Sequence, residues 1–268
     1  MRLINRMILV FLAGFALNAC SNDPSYDLVI RNGVIYDGSG AEPLKADIAV
    51  NADRIVVIGS VPGKGTKEID AKGMAVAPGF INMLSWATES LIEDGRSISD
   101  IAQGVTLEVM GEGWSMGPVN EKMKKEMIDG QTDIKFDVNW NTLNDYLEML
   151  QHKGISTNIA SFVGATTLRI HEIGYEDRAA TTEEMDRMKE LLDRAMRDGA
   201  LGLGSSLIYA PAFYAPTEEL VELSKVVAKY DGMYISHMRS EGGQFLEAID
   251  ELLKISKEAN IPPEIYHF

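Results

Sequence analysis

Between residues 26 and 71 the apolar positions fall in short runs at 27–30, 34–36, 47–50 and 54–59, each with the length and β-branched content of a strand. Asn32-Gly33, between the first two runs, predicts a tight hairpin turn. A segment of this kind makes a small, sandwich-like β-unit that is too slight to stand alone, so it is expected to pack against a second body. From residue 74 the pattern changes. Apolar runs at 74–84, 105–110, 158–163, 200–208, 233–237 and 264–267 predict strands, and amphipathic stretches separate them. Residues 182–197 carry Met185, Met188, Leu191, Leu192 and Ala195 near helical spacing after a Thr-Thr-Glu-Glu start, and 217–230 and 245–259 repeat the style. Strand alternating with helix implies βαβ units and a parallel sheet. No Gly-x-Gly-x-x-Gly follows the first strand, which disfavours a dinucleotide-binding sheet. The predicted fold is α/β: a partial (β/α)8 TIM barrel over 74–268 with about six strands present, preceded by the β-segment 21–73. The pattern stops directly after a strand, so the barrel is expected to be incomplete at its C-terminus and the sequence to be part of a longer one.

The first twenty residues depart from both patterns. Arg2 and Arg6 precede an apolar run at 7–17, and Leu17-Asn18-Ala19-Cys20 follows. This order predicts a lipoprotein signal peptide over 1–20, cleaved to leave Cys20 as the lipid-modified terminus. A plain secretory signal or an uncleaved anchor is the alternative. Cys20 is the only cysteine, so no disulfide forms within one chain. An exported protein, held at the bacterial cell envelope by its lipid, is the expectation.

Composition narrows the function. With 46% hydrophobic and 24% charged residues the chain can bury a core. Its net charge of −15, from 40 acidic against 25 basic residues, argues against a nucleic-acid partner. The four histidines can each be weighed. His237 and His267 stand at the ends of apolar strands, whereas His152 and His171 lie in polar surroundings where surface residence is expected.

Several motifs are familiar. Asp27-Leu28-Val29-Ile30-Arg31-Asn32-Gly33-Val34-Ile35-Tyr36-Asp37-Gly38 resembles the opening β-segment of amidohydrolase-superfamily enzymes, and Ala77-Pro78-Gly79-Phe80-Ile81-Asn82 resembles their first barrel strand. Gly199-Ala200-Leu201-Gly202-Leu203-Gly204-Ser205-Ser206-Leu207-Ile208-Tyr209 and Tyr234-Ile235-Ser236-His237-Met238-Arg239-Ser240-Glu241-Gly242 narrow the resemblance to the N-acyl-D-amino-acid deacylases (D-aminoacylases). The resemblance implies hydrolysis of a linear amide, of the N-acyl amino acid type, at zinc or another divalent ion, with ligands at the C-terminal ends of barrel strands. His237 and His267 match the family's histidine ligands of the fifth and sixth strands.

The departures are as informative. Leu84 and Trp86 stand where the family carries His-x-His, and neither binds a metal. Gly111-Glu112-Gly113-Trp114-Ser115 replaces Gly-Asn-Cys-Gly, with the cysteine position on Gly113. Gly164-Ala165-Thr166 replaces Gly-His-Gly. A divergent centre holding one ion through Glu112, His237 and His267, with a fourth position open to water, is therefore expected. The family's catalytic aspartate follows its eighth strand and so falls beyond Phe268. The lysine expected after the sixth strand is missing as well, so no catalytic residue is assigned and the chain alone is expected to be inactive.

Plainer roles compete with these. Glu112 could brace a glycine-rich loop, and the two histidines could be satisfied core residues. Arg239 and Glu241 either contact substrate or brace the loop after the fifth strand, with bracing preferred. Tyr209 is a candidate substrate contact, and Trp86 and Trp114 either line an apolar pocket or simply pack. Two rival functions remain: a non-catalytic binding lipoprotein on the same barrel, and a dipeptidase or lactonase.

Overall fold

A computed structural model describes residues 25–267. The predicted signal peptide and Cys20 lie outside the described residues. The chain divides into two compact units, one up to Pro78 and one from Gly79 onward.

The first unit is one sheet. Its strands are β1 (Ser25–Ile35), β2 (Leu44–Asn51), β3 (Arg54–Gly59), β4 (Lys64–Asp70) and β5 (Ala75–Val76). They lie in the order β3-β2-β1-β4, with β5 also paired to β1. Tyr26, Val29 and Ala49 are buried beside Val61. Asn32-Gly33 is not the predicted hairpin turn. The pair sits inside β1, where the register against β2 shifts between Ile30 and Gly33. Asn32 takes the left-handed conformation (φ 58°) that a bulge demands, and Asp47 and Asp70 hold it there through its backbone N–H and side-chain amide. The hairpin connection falls later, around Gly38 and Gly40, both at positive φ.

The second unit alternates strand and helix. Its strands are β6 (Phe80–Asn82), β7 (Val105–Met110), β8 (Asn158–Ser161), β9 (Val163–Gly164), β10 (Gly202–Ser206), β11 (Met233–His237) and β12 (Pro263–Ile265). Every pairing among them is parallel, in the orders β6-β7-β8 and β9-β10-β11-β12. The single strand expected at 158–163 is thus two. Phe162 interrupts it, but the Phe162 N–H still donates to Met110 and Leu201 N–H to Ser161, so the hydrogen-bond ladder carries across the break. Six strand positions in chain order are those of the first six strands of a (β/α)8 barrel. The long run predicted at 74–84 is also divided: 75–76 pairs with β1, and only 80–82 joins the parallel set.

The connecting helices are α1 (Ser90–Glu93), α2 (Ile98–Ala102), α3 (Glu121–Asp129), α4 (Leu143–Lys153), α5 (Ala165–Glu172), α6 (Thr182–Arg197), α7 (Thr217–Val227) and α8 (Phe245–Ala259). The start of α6 is the capping box the sequence announces. The Thr181 hydroxyl accepts from Glu184 N–H and the Glu184 carboxylate accepts from Thr181 N–H. Met188, Leu192, Ala195 and Met196 of α6 are buried in the main core with Leu220, Leu223 and Val227 of α7.

One ion pair is enclosed by this core. Arg169 of α5 and Glu219 of α7 are both buried, and one guanidinium nitrogen lies 2.9 and 3.1 Å from the two carboxylate oxygens. Burial raises the Glu219 carboxyl, and the adjacent guanidinium opposes the shift. The other guanidinium nitrogen donates to the carbonyls of Glu176 and Arg178, which ties down the loop before α6. Removing one member strands the other charge in the core. Glu219→Gln is expected to cost about 3–5 kcal/mol of stability, read from the urea midpoint. Loss below about 1 kcal/mol would mean that water reaches Arg169.

Candidate metal centre

The C-terminal ends of the parallel strands carry the chemistry. Glu112 follows β7 by two residues, His237 ends β11, and His267 follows β12 by two. A loop after a strand end can turn a side chain across the sheet rim, and this is where barrel folds build sites. Glu112 is turned by its flanking glycines. Gly111 (φ 102°) and Gly113 (φ 70°) both take left-handed backbone. A Cβ on Gly111 would collide with the Phe162 carbonyl, and one on Gly113 would lie 2.6 Å from Ser206 Oγ. Gly113 O then accepts from Thr166 N–H, and Glu112 O from Trp114 N–H and Ser206 Oγ.

The geometry brings together all three residues expected as ligands. One donor atom from each of Glu112, His237 and His267 lies within 4.8 Å of the others. Glu112 Oε1 is 3.0 Å from His237 Nδ1 and 3.4 Å from His267 Nε2. Bonds of 2.0–2.1 Å to a tetrahedral ion would set ligand atoms about 3.3 Å apart. The imidazole rings stand nearly perpendicular, at 88°, with centroids 4.4 Å apart. Glu112 and His237 are buried, and His267 is half-buried.

The proton inventory fits a cation better than a closed hydrogen-bond network. Glu241 Oε1 lies 2.7 Å from His267 Nδ1, a contact that favours the tautomer with the proton on that nitrogen. His267 Nε2 is then a lone pair facing the Glu112 carboxylate. Likewise, when His237 Nδ1–H donates to Glu112, its Nε2 is a buried lone pair with no hydrogen-bond partner. A cation in place of the shared proton would accept Glu112 Oε1, His237 Nδ1 and His267 Nε2 together. It would also put N–H on His237 Nε2, 3.5 Å from Glu241 Oε1.

Two residues that the sequence reading gave other or open roles complete the arrangement. Glu241, for which bracing the loop was preferred, faces the far nitrogens of both histidines. Trp86, at a position where the family pattern has histidine, donates its indole N–H to Glu112 Oε2 at 3.0 Å. That leaves Oε1 for the histidines. Arg239, expected as a substrate contact or a brace, does not line the cavity. Its guanidinium is engaged with Glu251 and with the carbonyls of Phe213 and Ala215, which is a bracing role. Tyr209 does line it, edge-on to His237 at 5.2 Å. His152 is exposed and bonded to Glu148 O, and His171 is half-buried against Glu172; both are outside the site. Tyr266 is half-buried, its hydroxyl pushed up by burial and by Glu112.

A cavity of about 620 Å³ opens over these atoms. Trp86, Trp114, Thr166, Ser206 and Tyr209 form its walls with the two glutamates and two histidines.

No family model matches the sequence. Individual proteins do. D-aminoacylase from Alcaligenes xylosoxydans xylosoxydans is 33% identical over 252 residues, which is 92% of this chain and 51% of the relative. A solved D-aminoacylase, whose binuclear metal centre shows one-metal activation and second-metal attenuation, superposes with a TM-score of 0.81 at 31% identity over 90% of this chain and 51% of that one. This chain is a homologue of the D-aminoacylases. N-acyl-D-glutamate deacylase from Bordetella bronchiseptica, solved with zinc and a phosphonate mimic of the tetrahedral intermediate, superposes with a TM-score of 0.77 at 28% identity, again over 90% of this chain and 51% of that one. The chain spans about half the length of the curated relatives it matches.

Glu241 supports both imidazoles from behind, and removing it should weaken the donor set without dismantling it. Glu241→Ala is expected to lower zinc affinity about 10–100-fold in competition with a chromogenic chelator, with the far-ultraviolet spectrum unchanged. Unaltered affinity would show that Glu241 does not orient the histidines.

Proposed function

We propose that the protein hydrolyses the linear amide of N-acyl-D-amino acids at a single divalent cation, zinc being the first choice, held by Glu112, His237 and His267. The convergence of one carboxylate and two imidazoles at the strand ends carries this reading. The chemistry of the set suits zinc, which takes imidazole nitrogen and carboxylate oxygen in catalytic sites with one position left for water. Such an ion, when bound, polarises an amide carbonyl and makes bound water acidic. The chain's own residues do the rest. Trp86 fixes which carboxylate oxygen faces the histidines, Glu241 fixes the His267 tautomer, and Tyr209 stands where it could contact an acyl amino acid.

One observation favours a second reading. Among the described residues, the carboxylates lining this cavity are Glu112 and Glu241, and both are engaged with the histidines. Neither is free to shuttle a proton from water to a leaving amine. A cation-dependent binding protein for the same ligands would need no such group. Zinc titration followed by a panel of N-acyl-D- and N-acyl-L-amino acids, dipeptides and lactones separates the readings. The deacylase reading expects about one zinc per chain, lost in Glu112→Ala and His237→Ala, and turnover confined to the N-acyl-D-amino acids in the full-length protein, this chain alone being expected to be inactive. Zinc uptake with no turnover would favour the binding protein, turnover of dipeptides or lactones a different hydrolase. Absence of zinc uptake would remove the chemical basis of all three.

We further propose that the protein is exported and anchored at the cell envelope through lipid on Cys20. The order of Arg2, Arg6, the apolar run at 7–17 and the lone cysteine supports this. No helix among the described residues is long and apolar enough to cross a membrane. Radiolabelled palmitate should enter the wild-type protein in a bacterial host and not Cys20→Ser; equal labelling of both would end the anchor proposal.

A further inference from the structure

A second cavity, of about 750 Å³, adjoins the first. The two share Trp86 and Trp114 as walls. Where the first is lined by glutamates, histidines, serine and threonine, the second is lined largely by apolar side chains. Met116, Val119, Met123 and Ile170 are buried there, and Met127 and Ile134 are half-buried. Nothing in the metal centre uses this space. Its lining also includes Thr88, Ser90 and Ser115 and two carboxylates, of which Glu89 is exposed and Glu126 accepts a hydrogen bond from the Tyr175 hydroxyl at 3.0 Å.

We infer that this cavity holds the acyl chain of the substrate, and that the chain is long and uncharged. The inference rests on the amide-hydrolase reading of the neighbouring centre and names the substrate class it would take. An N-acyl amino acid has two arms. With its amide carbonyl at Glu112, His237 and His267, one arm has a route past Trp86 and Trp114 into apolar surroundings. The amino-acid arm carries a carboxylate, which Glu89 and Glu126 would repel. The acyl arm carries none. Three methionines give the wall an adaptable surface, suited to alkyl chains of several lengths rather than to one rigid ring. The indoles of Trp86 and Trp114 supply broad apolar faces at the junction, and Trp86 keeps its polar edge turned to Glu112.

The test is calorimetric titration of the metal-free chain, in chelator, with N-hexanoyl-, N-octanoyl- and N-decanoyl-D-alanine. Each added methylene buried in the cavity should tighten binding about fourfold. Ile134→Asp, at a half-buried wall position, should flatten the series while leaving the hexanoyl compound least affected. Met127→Asp serves as an independent variant on the same wall. A parallel zinc titration keeps the two readings apart. Zinc uptake with the same affinity for all three compounds overturns the acyl-chain assignment and leaves the metal centre standing. A graded series without zinc uptake supports the acyl-chain site and removes the metal centre. A graded series that persists in both aspartate variants places the chain elsewhere and overturns the assignment.

Discussion

The site depends on where one carboxylate points. Glu112 sits between two glycines whose backbones no other residue could adopt without collision, since Gly111 meets the Phe162 carbonyl and Gly113 meets Ser206. That double constraint turns the loop after β7 across the ends of the neighbouring strands. It sets Glu112 Oε1 within 3.4 Å of a nitrogen on each of two histidines from the ends of β11 and β12, in the other parallel set. Each histidine is in turn placed by its own strand end, so three separate strand ends converge on one point. Sheet register makes such convergence reproducible, because parallel pairing of β10 with β11 and of β11 with β12 fixes the strand ends relative to one another.

Much of this was legible in the sequence, because apolar runs, helix periodicity and strand-end histidines are local signals. The strand at 105–110, the helix at 182–197 with its capping box, and the placing of His237 and His267 after apolar runs all follow from residues within one turn or strand of each other. What was illegible depends on distant partners. Asn32-Gly33 reads as a hairpin because the local signal is strong, yet Asp47 and Asp70 hold Asn32 in a bulge from 15 and 38 residues away. Phe162 breaks one expected strand into two for a reason no window shows: its neighbours pair with different strands.

Glu241 illustrates the same limit within the site. In sequence it is a loop carboxylate four residues after a histidine, and bracing is the natural reading. Arg239, two residues earlier, does brace, with its donors taken up by Glu251 and two carbonyls. The side chains of these near neighbours turn to different partners, Arg239 to α8 and the 213–215 carbonyls and Glu241 to the two histidines. The difference lies in the position of His267, which approaches Glu241 only when β12 pairs beside β11.

The tryptophan at position 86 links the two cavities. The resemblance to the deacylases makes the loss of His-x-His look like the loss of a metal subsite. In the structure the indole at that position still serves the centre, because its N–H takes Glu112 Oε2 and thereby reserves Oε1 for the histidines. The same residue lines the second cavity, along with Trp114. A histidine there could ligate a further ion but would offer a smaller, more polar wall. Under the proposed reading, the substitution exchanges capacity for a second cation for an oriented glutamate and an apolar boundary. The divergence of the first strand end and the boundary of the neighbouring cavity then meet in one residue, since a single indole donates to a carboxylate and also lines the apolar cavity.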